Sequence, residues 1–131
     1  MEYQGLAHFL EHMLFMGTTK YPQENEYSEF ICDNGGCDNA FTAGTDTNYH
    51  FENKHFEVSN EAFTEALDRF AQFYVCPLLS ESATEREMKA VDSEYNMSLQ
   101  SDLWRKENLI WNLAYKESKL NRFDCGNLET L

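Results

Sequence analysis

The chain opens with apolar residues spaced as on one face of an amphipathic α-helix. Between residues 5 and 16 they recur every three or four positions: Leu6, Phe9, Leu10, Met13 and Leu14. Gly17 follows, and glycine often ends a helix, so the spacing predicts a helix that stops there. A second short helix is predicted over residues 21–32, because Pro22 stands at an early position and Gly35-Gly36 follows.

Residue types that favour β-strands occupy the next part of the chain. Asp38–Ala43 and Thr47–Phe51 are separated by Gly44-Thr45-Asp46, which predicts a β-hairpin with a short loop. The stretch Asn53–Val58 is ambiguous.

Further helices are predicted in the second half of the chain. Asn60 is the expected N-cap of one helix, whose apolar residues keep helical spacing until Cys76-Pro77 breaks the pattern. Ser82 and Glu85 match a capping box at the start of another helix, which reaches about Leu99.

A last helix is expected to be capped by Asp102, and residues 121–131 show no regular pattern. Its apolar positions are Leu103, Trp104, Ile110, Trp111 and Ala114. No repeat or linker divides the chain. The predicted architecture is therefore one α+β unit over residues 1–131, with a small antiparallel hairpin sheet packed on several α-helices.

Composition supports one folded domain and argues against two classes of partner. The chain has 131 residues, of which 42% are hydrophobic, and this is enough for one core. Ten Lys and Arg against 23 Asp and Glu give a net charge of -13, which lacks the basic surface of a nucleic-acid or anionic-membrane binder. No apolar run approaches the ~20 residues that span a bilayer, and no secretory signal is recognisable. The four cysteines are expected to be reduced thiols, which favours a cytoplasmic location.

The polar face of the first helix carries the pattern His-x-x-Glu-His. At ~100° per residue, His8, Glu11, His12 and Phe15 lie opposite the stripe that contains Leu6. Because His8 and His12 are one turn apart, both rings can reach a single Zn²⁺, while Glu11 does not compete for the same position. Two neutral imidazoles leave room for a third ligand and for a water whose pKa the metal lowers towards ~7. The competing interpretation is two ordinary surface or core histidines.

Further motifs extend over most of residues 5–103. They are Gly5–Gly17, Lys20–Tyr27, Asn39–Thr42, Asn48-Tyr49, Ala66–Phe73 and Ala90–Tyr95. In this order, the segments resemble the inverzincin zinc metallopeptidases of the pitrilysin/insulinase family, and within it the insulin-degrading enzyme and nardilysin group. The resemblance implies a zinc-dependent endopeptidase and a partial insulinase-type catalytic domain.

The resemblance also implies roles that spacing alone does not identify. The family takes its third zinc ligand from a stretch that matches Ala90–Tyr95, so Glu94 joins the two histidines. Glu87, two helical turns earlier, matches a family glutamate that supports the zinc site, and its alternative is a solvated helix carboxylate. Glu11 is implied as the catalytic base, which takes a proton from the attacking water and returns it to the leaving amine.

The family binds its peptide substrate as an added strand along the sheet edge near the zinc. The matching edge is Cys37–Thr42, so Asn39 and Ala40 are expected to contact the substrate backbone. Phe15 and Phe41 are expected to form walls of a side-chain pocket. The alternative is a hairpin that merely covers the core. The net charge of -13 leads us to expect a preference for basic peptides that weakens with added salt.

Departures from the family pattern keep other functions open. The family's strands ahead of the zinc helix, the rest of its catalytic domain and its homologous second half have no match in these 131 residues. The missing remainder of a peptidase is therefore an expected partner. One alternative function is a truncated zinc-binding fragment or interaction module without turnover. Another is an acidic interaction module that binds no metal.

Overall fold

The computed structural model describes residues 3–53, 60–118 and 120–131. In chain order, these residues form α1 (Leu6–Leu14), α2 (Glu26–Asp33), β1 (Gly36–Thr42), β2 (Thr47–Asn53), α3 (Asn60–Val75), α4 (Glu81–Ser98) and α5 (Asp102–Leu113). The predicted α+β class, with a small antiparallel sheet and several helices, is confirmed. Of the ambiguous stretch 53–58, Asn53 ends β2 and the rest lies outside the described residues.

The helix predicted over residues 21–32 begins later, at Glu26. Ahead of it the chain forms a hydrogen-bonded loop, in which the Thr18 N–H donates to the Tyr21 carbonyl (2.9 Å) and the Tyr21 N–H donates to Thr18 Oγ1 (3.1 Å). Asn25 then has a left-handed backbone with φ 66°, which separates this loop from the helix. The proline that was expected in the first helical turn therefore belongs to the loop.

The predicted hairpin is present as β1 and β2. The strands pair antiparallel, with Thr42 opposite Thr47 next to the turn and Gly36 opposite Asn53 at the other end. Only glycine fits at the latter position, because a Cβ on Gly36 would stand 2.6 Å from the Glu52 carbonyl oxygen. Half-buried and exposed residues alternate along both strands, so one face of the hairpin packs on the helices.

The hydrophobic core lies between α1, α2, α3 and the inner face of the hairpin. Its buried members are Leu14, Tyr27, Ile31, Ala66 and Phe73, and the half-buried residues packed on them are Phe15, Phe30, Tyr49, Phe51 and Phe70. The Phe73 ring centroid is 4.8 Å from that of Tyr27 and 5.2 Å from that of Phe15. The Phe15 ring, directly after α1, also packs on Tyr49 of β2 with centroids 6.3 Å apart, so aromatic contacts hold the C-terminal end of α1 beside the hairpin.

The apolar stripe of α1 is buried only in its C-terminal half. Met13 and Leu14 are 2% and 5% exposed, but Leu6 and Leu10 are 51% and 43% exposed. The last two border an open groove of about 390 Å³, whose other walls include Phe123. The five apolar residues share one face of the helix as predicted, but the described residues supply no layer that covers Leu6 and Leu10.

The helices of the second half start slightly before or after the predicted caps. α4 is capped by Ser80, which has an extended backbone and whose Oγ accepts a hydrogen bond from the Ala83 N–H at 3.3 Å. Ser82 therefore lies inside the helix and does not form the predicted capping box. Similarly, Asp102 is the first residue of α5 and follows the N-cap Ser101.

The predicted N-cap of α3 is wrong, whereas the predicted irregular tail is confirmed. Asn60 is the first helical residue of α3 and not its N-cap. Residues 120–131 contain turns but neither helix nor strand, as predicted.

The four cysteines all lie within the described ranges and are free thiols. Among the helices described, none combines the length and the apolar character needed to cross a membrane.

Candidate metal centre

Two histidines project from one face of α1. His8 and His12 are one turn apart, and their side chains are 17% and 18% exposed. Their Nε2 atoms are 3.2 Å apart, and their ring planes are nearly perpendicular, at 84°. The helical spacing of four residues therefore brings one nitrogen of each ring to the same point.

α4 packs against α1 and brings a carboxylate to that point. Glu94 Oε2 lies 3.3 Å from His8 Nε2 and 3.6 Å from His12 Nε2. His8, His12 and Glu94 thus form a triad of potential metal ligands, with donor atoms within 4.8 Å of one another. The Glu94 side chain is 45% exposed, so the point of convergence is accessible from solvent.

The other nitrogen of each histidine ring faces a hydrogen-bond acceptor. His8 Nδ1 is 2.7 Å from the Cys125 carbonyl oxygen, and His12 Nδ1 is 2.9 Å from Glu87 Oε2. A carbonyl or an ionised carboxylate can only accept a hydrogen bond, so we assign the ring proton to Nδ1 in both histidines. A neutral ring that donates through Nδ1 presents a lone pair at Nε2, which is the form that binds metals.

In neutral rings of this tautomer, three lone pairs face one another. This arrangement is unfavourable unless a cation lies among them. The separations of 3.2, 3.3 and 3.6 Å match the edge of about 3.3 Å that a tetrahedron has when its bonds are about 2.0–2.1 Å, as for zinc. Two imidazoles and one carboxylate also form a donor set found in catalytic zinc sites, which keep a fourth position open. These residues therefore fit a zinc ion.

Glu11 stands beside the donor triad and is not a member of it. Its Oε2 accepts a hydrogen bond of 2.5 Å from Thr42 Oγ1, which itself lies 3.1 Å from Thr47 Oγ1 at the end of the hairpin. The hairpin therefore fixes the orientation of the Glu11 carboxylate. Glu11 also borders two cavities next to the triad, so it is open to a substrate.

Glu87 lies two helical turns before Glu94 on α4. It contacts the outer nitrogen of the His12 ring, whereas Glu94 faces the inner nitrogens. Its side chain is 14% exposed, unlike a solvated helix carboxylate. A carboxylate on the outer nitrogen orients a ligating histidine and raises its basicity.

Two cavities border the triad and contain the residues predicted to contact substrate. The larger one measures about 730 Å³ and is lined by Ala40, Phe41 and the two tryptophans of α5, among others. The smaller one measures about 220 Å³ and is lined by Phe15, Asn39 and Ala40, among others. Asn39, Ala40, Phe15 and Phe41 are therefore all near the triad, but the two phenylalanines line different cavities.

The outer edge of β1 is available for an added strand. The Ala43 N–H donates to the Asp46 carbonyl at 2.8 Å, so in this antiparallel ladder the odd-numbered N–H groups face β2 and the even-numbered ones face away. On that outer edge the Ala40 N–H donates to Asn39 Oδ1 at 2.9 Å. Within the described residues β2 is the single strand partner of β1. An added strand would therefore compete with the Asn39 side chain for the Ala40 N–H.

Carboxyl groups give the larger cavity an acidic lining. Besides Glu11 and Glu94, its walls include Glu107 and Asp124, and its described lining contains neither lysine nor arginine. Burial raises the pKa of Asp124, and burial together with nearby carboxylates raises the pKa of the Cys125 thiol to about 11. The charge of the cavity therefore comes from carboxylates, while Cys125 is a neutral thiol near pH 7.

The sequence does not predict two contacts of this centre. The first is the hydrogen bond from Thr42 to Glu11. The sequence signal that could have pointed to it is that Thr42 lies two residues after Ala40 in β1, on the same side of the strand. The contact of His8 with the Cys125 carbonyl has no signal in the sequence, because every residue type offers a carbonyl and the tail has no regular pattern.

Comparisons with known proteins agree on one family. The family model described as Insulinase (Peptidase family M16) matches residues 1–117. The chain is 50% identical over 128 residues to insulin-degrading enzyme-like 2 of Arabidopsis thaliana, covering 98% of this chain and 13% of the relative. It is 49% identical over 127 residues to insulin-degrading enzyme of Homo sapiens (97% and 12%). It is 51% identical over 130 residues to the putative zinc protease mug138 of Schizosaccharomyces pombe (99% and 13%).

A solved structure is similar to the whole described fold. The crystal structure of pitrilysin superposes with a TM-score of 0.83 at 39% identity, covering 98% of this chain and 13% of that one. The chain thus spans only 12% to 13% of the length of these relatives. Because the family model matches most of the sequence, the chain belongs to the insulinase family of peptidases, Peptidase family M16.

Proposed function

We propose that this chain forms the zinc-binding part of an endopeptidase active site that hydrolyses peptide bonds. The observation that carries this proposal is the convergence of His8 Nε2, His12 Nε2 and Glu94 Oε2, which lie 3.2–3.6 Å apart while the far nitrogen of each ring faces a hydrogen-bond acceptor. Membership of a peptidase family supports the same reaction class, and one relative is named a putative zinc protease.

In this proposal His8, His12 and Glu94 hold the zinc ion, and Glu11 transfers protons. When bound, zinc supplies Lewis acidity, which polarises a carbonyl oxygen and makes a water molecule acidic near neutral pH. Glu11 accepts the proton of the attacking water and gives it to the leaving peptide nitrogen. The 2.5 Å hydrogen bond from Thr42 keeps the Glu11 carboxylate in one orientation for both transfers.

The proposed substrate is a peptide that binds as an added strand along the outer edge of β1. Its carbonyl oxygen would accept from the Ala40 N–H and displace the Asn39 side chain. Substrate side chains would enter the cavities lined by Phe41 and by Phe15. The acidic lining of the larger cavity favours a basic side chain there.

Zinc content and turnover, measured on the same preparations, test the proposal. We expect the purified chain to bind one zinc ion and to cleave a quenched fluorescent peptide until a chelator removes the metal. Glu11→Gln should keep the zinc and lose at least about 100-fold in turnover. Glu85→Gln changes the same charge at an exposed position of α4 and should alter neither. Full metal-dependent activity in the Glu11→Gln variant would contradict the assignment of the base.

The short coverage of the relatives supports a second candidate function. The chain spans 12% to 13% of their length, and Leu6 and Leu10 are exposed. A zinc-binding fragment without turnover, completed by the remainder of a peptidase, fits these observations. Stoichiometric zinc without cleavage in the same assay would favour this candidate. A chain that binds no zinc would instead favour an acidic interaction module.

A further inference from the structure

We propose that the irregular segment Phe123–Leu128 is a positioning segment, which ties α1 to α4 and directs His8 Nε2 toward Glu94. The inference rests on the proposed function, in which His8 and Glu94 hold zinc. It assigns a role in metal binding to a part of the chain that has neither helix nor strand and whose side chains include none of the three ligands.

On the α1 side, the segment is joined by a hydrogen bond and by a close backbone contact. The Nδ1–H of His8 donates to the Cys125 carbonyl at 2.7 Å. Gly5 and Gly126 meet directly, since a Cβ on Gly5 would stand 2.1 Å from Gly126 Cα. Both glycines have left-handed backbones, with φ of 86° and 82°. Two glycines in contact thus let the backbone approach closely enough for the Cys125 carbonyl to reach His8.

On the α4 side, the segment is joined to the residues around Glu94. The Leu128 N–H donates to Asp92 Oδ1 at 3.1 Å. The Phe123 ring packs edge to face on the Tyr95 ring, with centroids 5.2 Å apart at 73°. Asp92 and Tyr95 lie on either side of Glu94 in the sequence, so the segment contacts α4 next to its ligand.

These contacts would preorganise the metal centre in two ways. The carbonyl fixes the rotation of the His8 ring and keeps its proton on Nδ1, which leaves the Nε2 lone pair for the metal. The contacts to Asp92 and Tyr95 hold α4 at the same distance from α1, so Glu94 Oε2 stays 3.3 Å from that lone pair. Loss of a partner of this kind weakens metal binding by about 10- to 100-fold.

Gly126→Ala tests the contact with α1. A Cβ there would stand 3.1 Å from Gly5 Cα, so the neighbouring backbone must give by a few tenths of an ångström, and the backbone with φ +82° is strained by any side chain. We expect zinc affinity, measured by competition with a chromophoric chelator, to fall about 10- to 100-fold. The control is Gly17→Ala, which strains a backbone of φ +96° against the Pro22 carbonyl, outside the positioning segment. It should change zinc affinity by less than about threefold even where it lowers the melting temperature as much. Unchanged affinity in Gly126→Ala, or an equal loss in the control, would overturn the proposal.

Asp92→Ala and Asp92→Asn form a second pair that leaves the backbone geometry intact. The alanine variant loses the acceptor for the Leu128 N–H, while the asparagine variant keeps an oxygen there. We expect weaker zinc binding in the alanine variant and recovery of most of the affinity in the asparagine variant. Equal affinities for both variants and the unsubstituted chain would contradict the role of the α4 contact.

Nitrogen NMR of the histidine rings in the metal-free chain separates this inference from the proposed function. His8 should show a proton on Nδ1 that exchanges slowly with solvent, and Gly126→Ala should lose that protection while Gly17→Ala keeps it. A chain that binds no zinc but shows this pattern would refute the proposed function and with it the role of the segment in metal binding, and would support only the hydrogen bond from the His8 ring to the segment. A His8 ring with its proton on Nε2 would refute the positioning segment whether or not zinc binds.

Discussion

Removal of the Glu87 carboxylate tests how strongly zinc affinity depends on the partner of a ligand. Glu87 Oε2 accepts from His12 Nδ1 at 2.9 Å, and its side chain is 14% exposed. A hydrogen bond to a charged group contributes about 1.5–3 kcal/mol, and each 1.4 kcal/mol is about tenfold in affinity. Glu87→Ala should therefore weaken zinc binding by about 10- to 100-fold, in line with other partners of ligating histidines.

Glu87→Gln separates the charge from the hydrogen bond. Glutamine keeps an acceptor oxygen for His12 Nδ1 but carries no charge, and a charge-assisted hydrogen bond is about twice as strong as a neutral one. About half of the free-energy loss is then expected, which corresponds to an affinity about three- to tenfold weaker than that of the unsubstituted chain.

The zinc affinity of both variants is measured by competition with a chromophoric chelator at fixed pH and ionic strength. Glu85→Gln, at an exposed position of the same helix, controls for the loss of one negative charge and should bind zinc normally. Equal affinities for Glu87→Ala and the unsubstituted chain would refute the reasoning. A glutamine variant that binds zinc more weakly than the alanine variant would also refute it.

Three further predictions concern stability and substrate charge. Tyr27 is 6% exposed and its hydroxyl has no hydrogen-bond partner among the described residues, so Tyr27→Phe should raise the free energy of unfolding in urea by about 1 kcal/mol; a loss of stability would contradict this. Burial, and then the nearby Glu11 charge, raises the pKa of Tyr49 to about 12, so the fold favours the neutral phenol. The stability contributed by this preference is complete below the ordinary tyrosine pKa of about 10 and is lost as the pH rises toward 12. Tyr49→Phe should therefore make the free energy of unfolding, measured by urea titration, fall less steeply with pH in this range. An unchanged slope would argue against this reasoning. At low salt a lysine-rich quenched peptide should be cleaved faster than a glutamate-rich one, with a smaller difference at about 0.5 M salt; equal rates at low salt would exclude the preference.

The residues of the metal centre that lie on α1 can be predicted from the sequence, because helix geometry alone relates residues four positions apart. His8, Glu11 and His12 are placed in this way on α1. Glu94 is different, because it lies on another helix in a chain with 23 acidic residues, so no spacing rule selects it. It was identified by resemblance to a family. The Cys125 carbonyl could be identified by neither route.

The fold shows the same division between local and distant information. Element types follow from periodicity, but the start of a helix can depend on the backbone angles of one residue, as at Asn25 before α2. The Leu6 and Leu10 positions illustrate a second limit. Periodicity reports which side chains share a face of a helix, but it does not report whether another layer covers that face.

The hydrogen bond from the Ala40 N–H to the Asn39 side chain also bears on whether a second copy of the chain can pair with the edge of β1. A strand edge with open N–H groups is a template on which copies of a protein can polymerise, and among residues 3–53, 60–118 and 120–131 no strand pairs with the outer edge of β1. The Asn39 amide occupies one of its donors in the uncombined chain. In the proposed function, the amide that an extended peptide would displace is thus the same group that occupies this N–H against a second copy of the chain. Binding of a peptide, as proposed, and edge-to-edge pairing of two copies would therefore use the same backbone N–H.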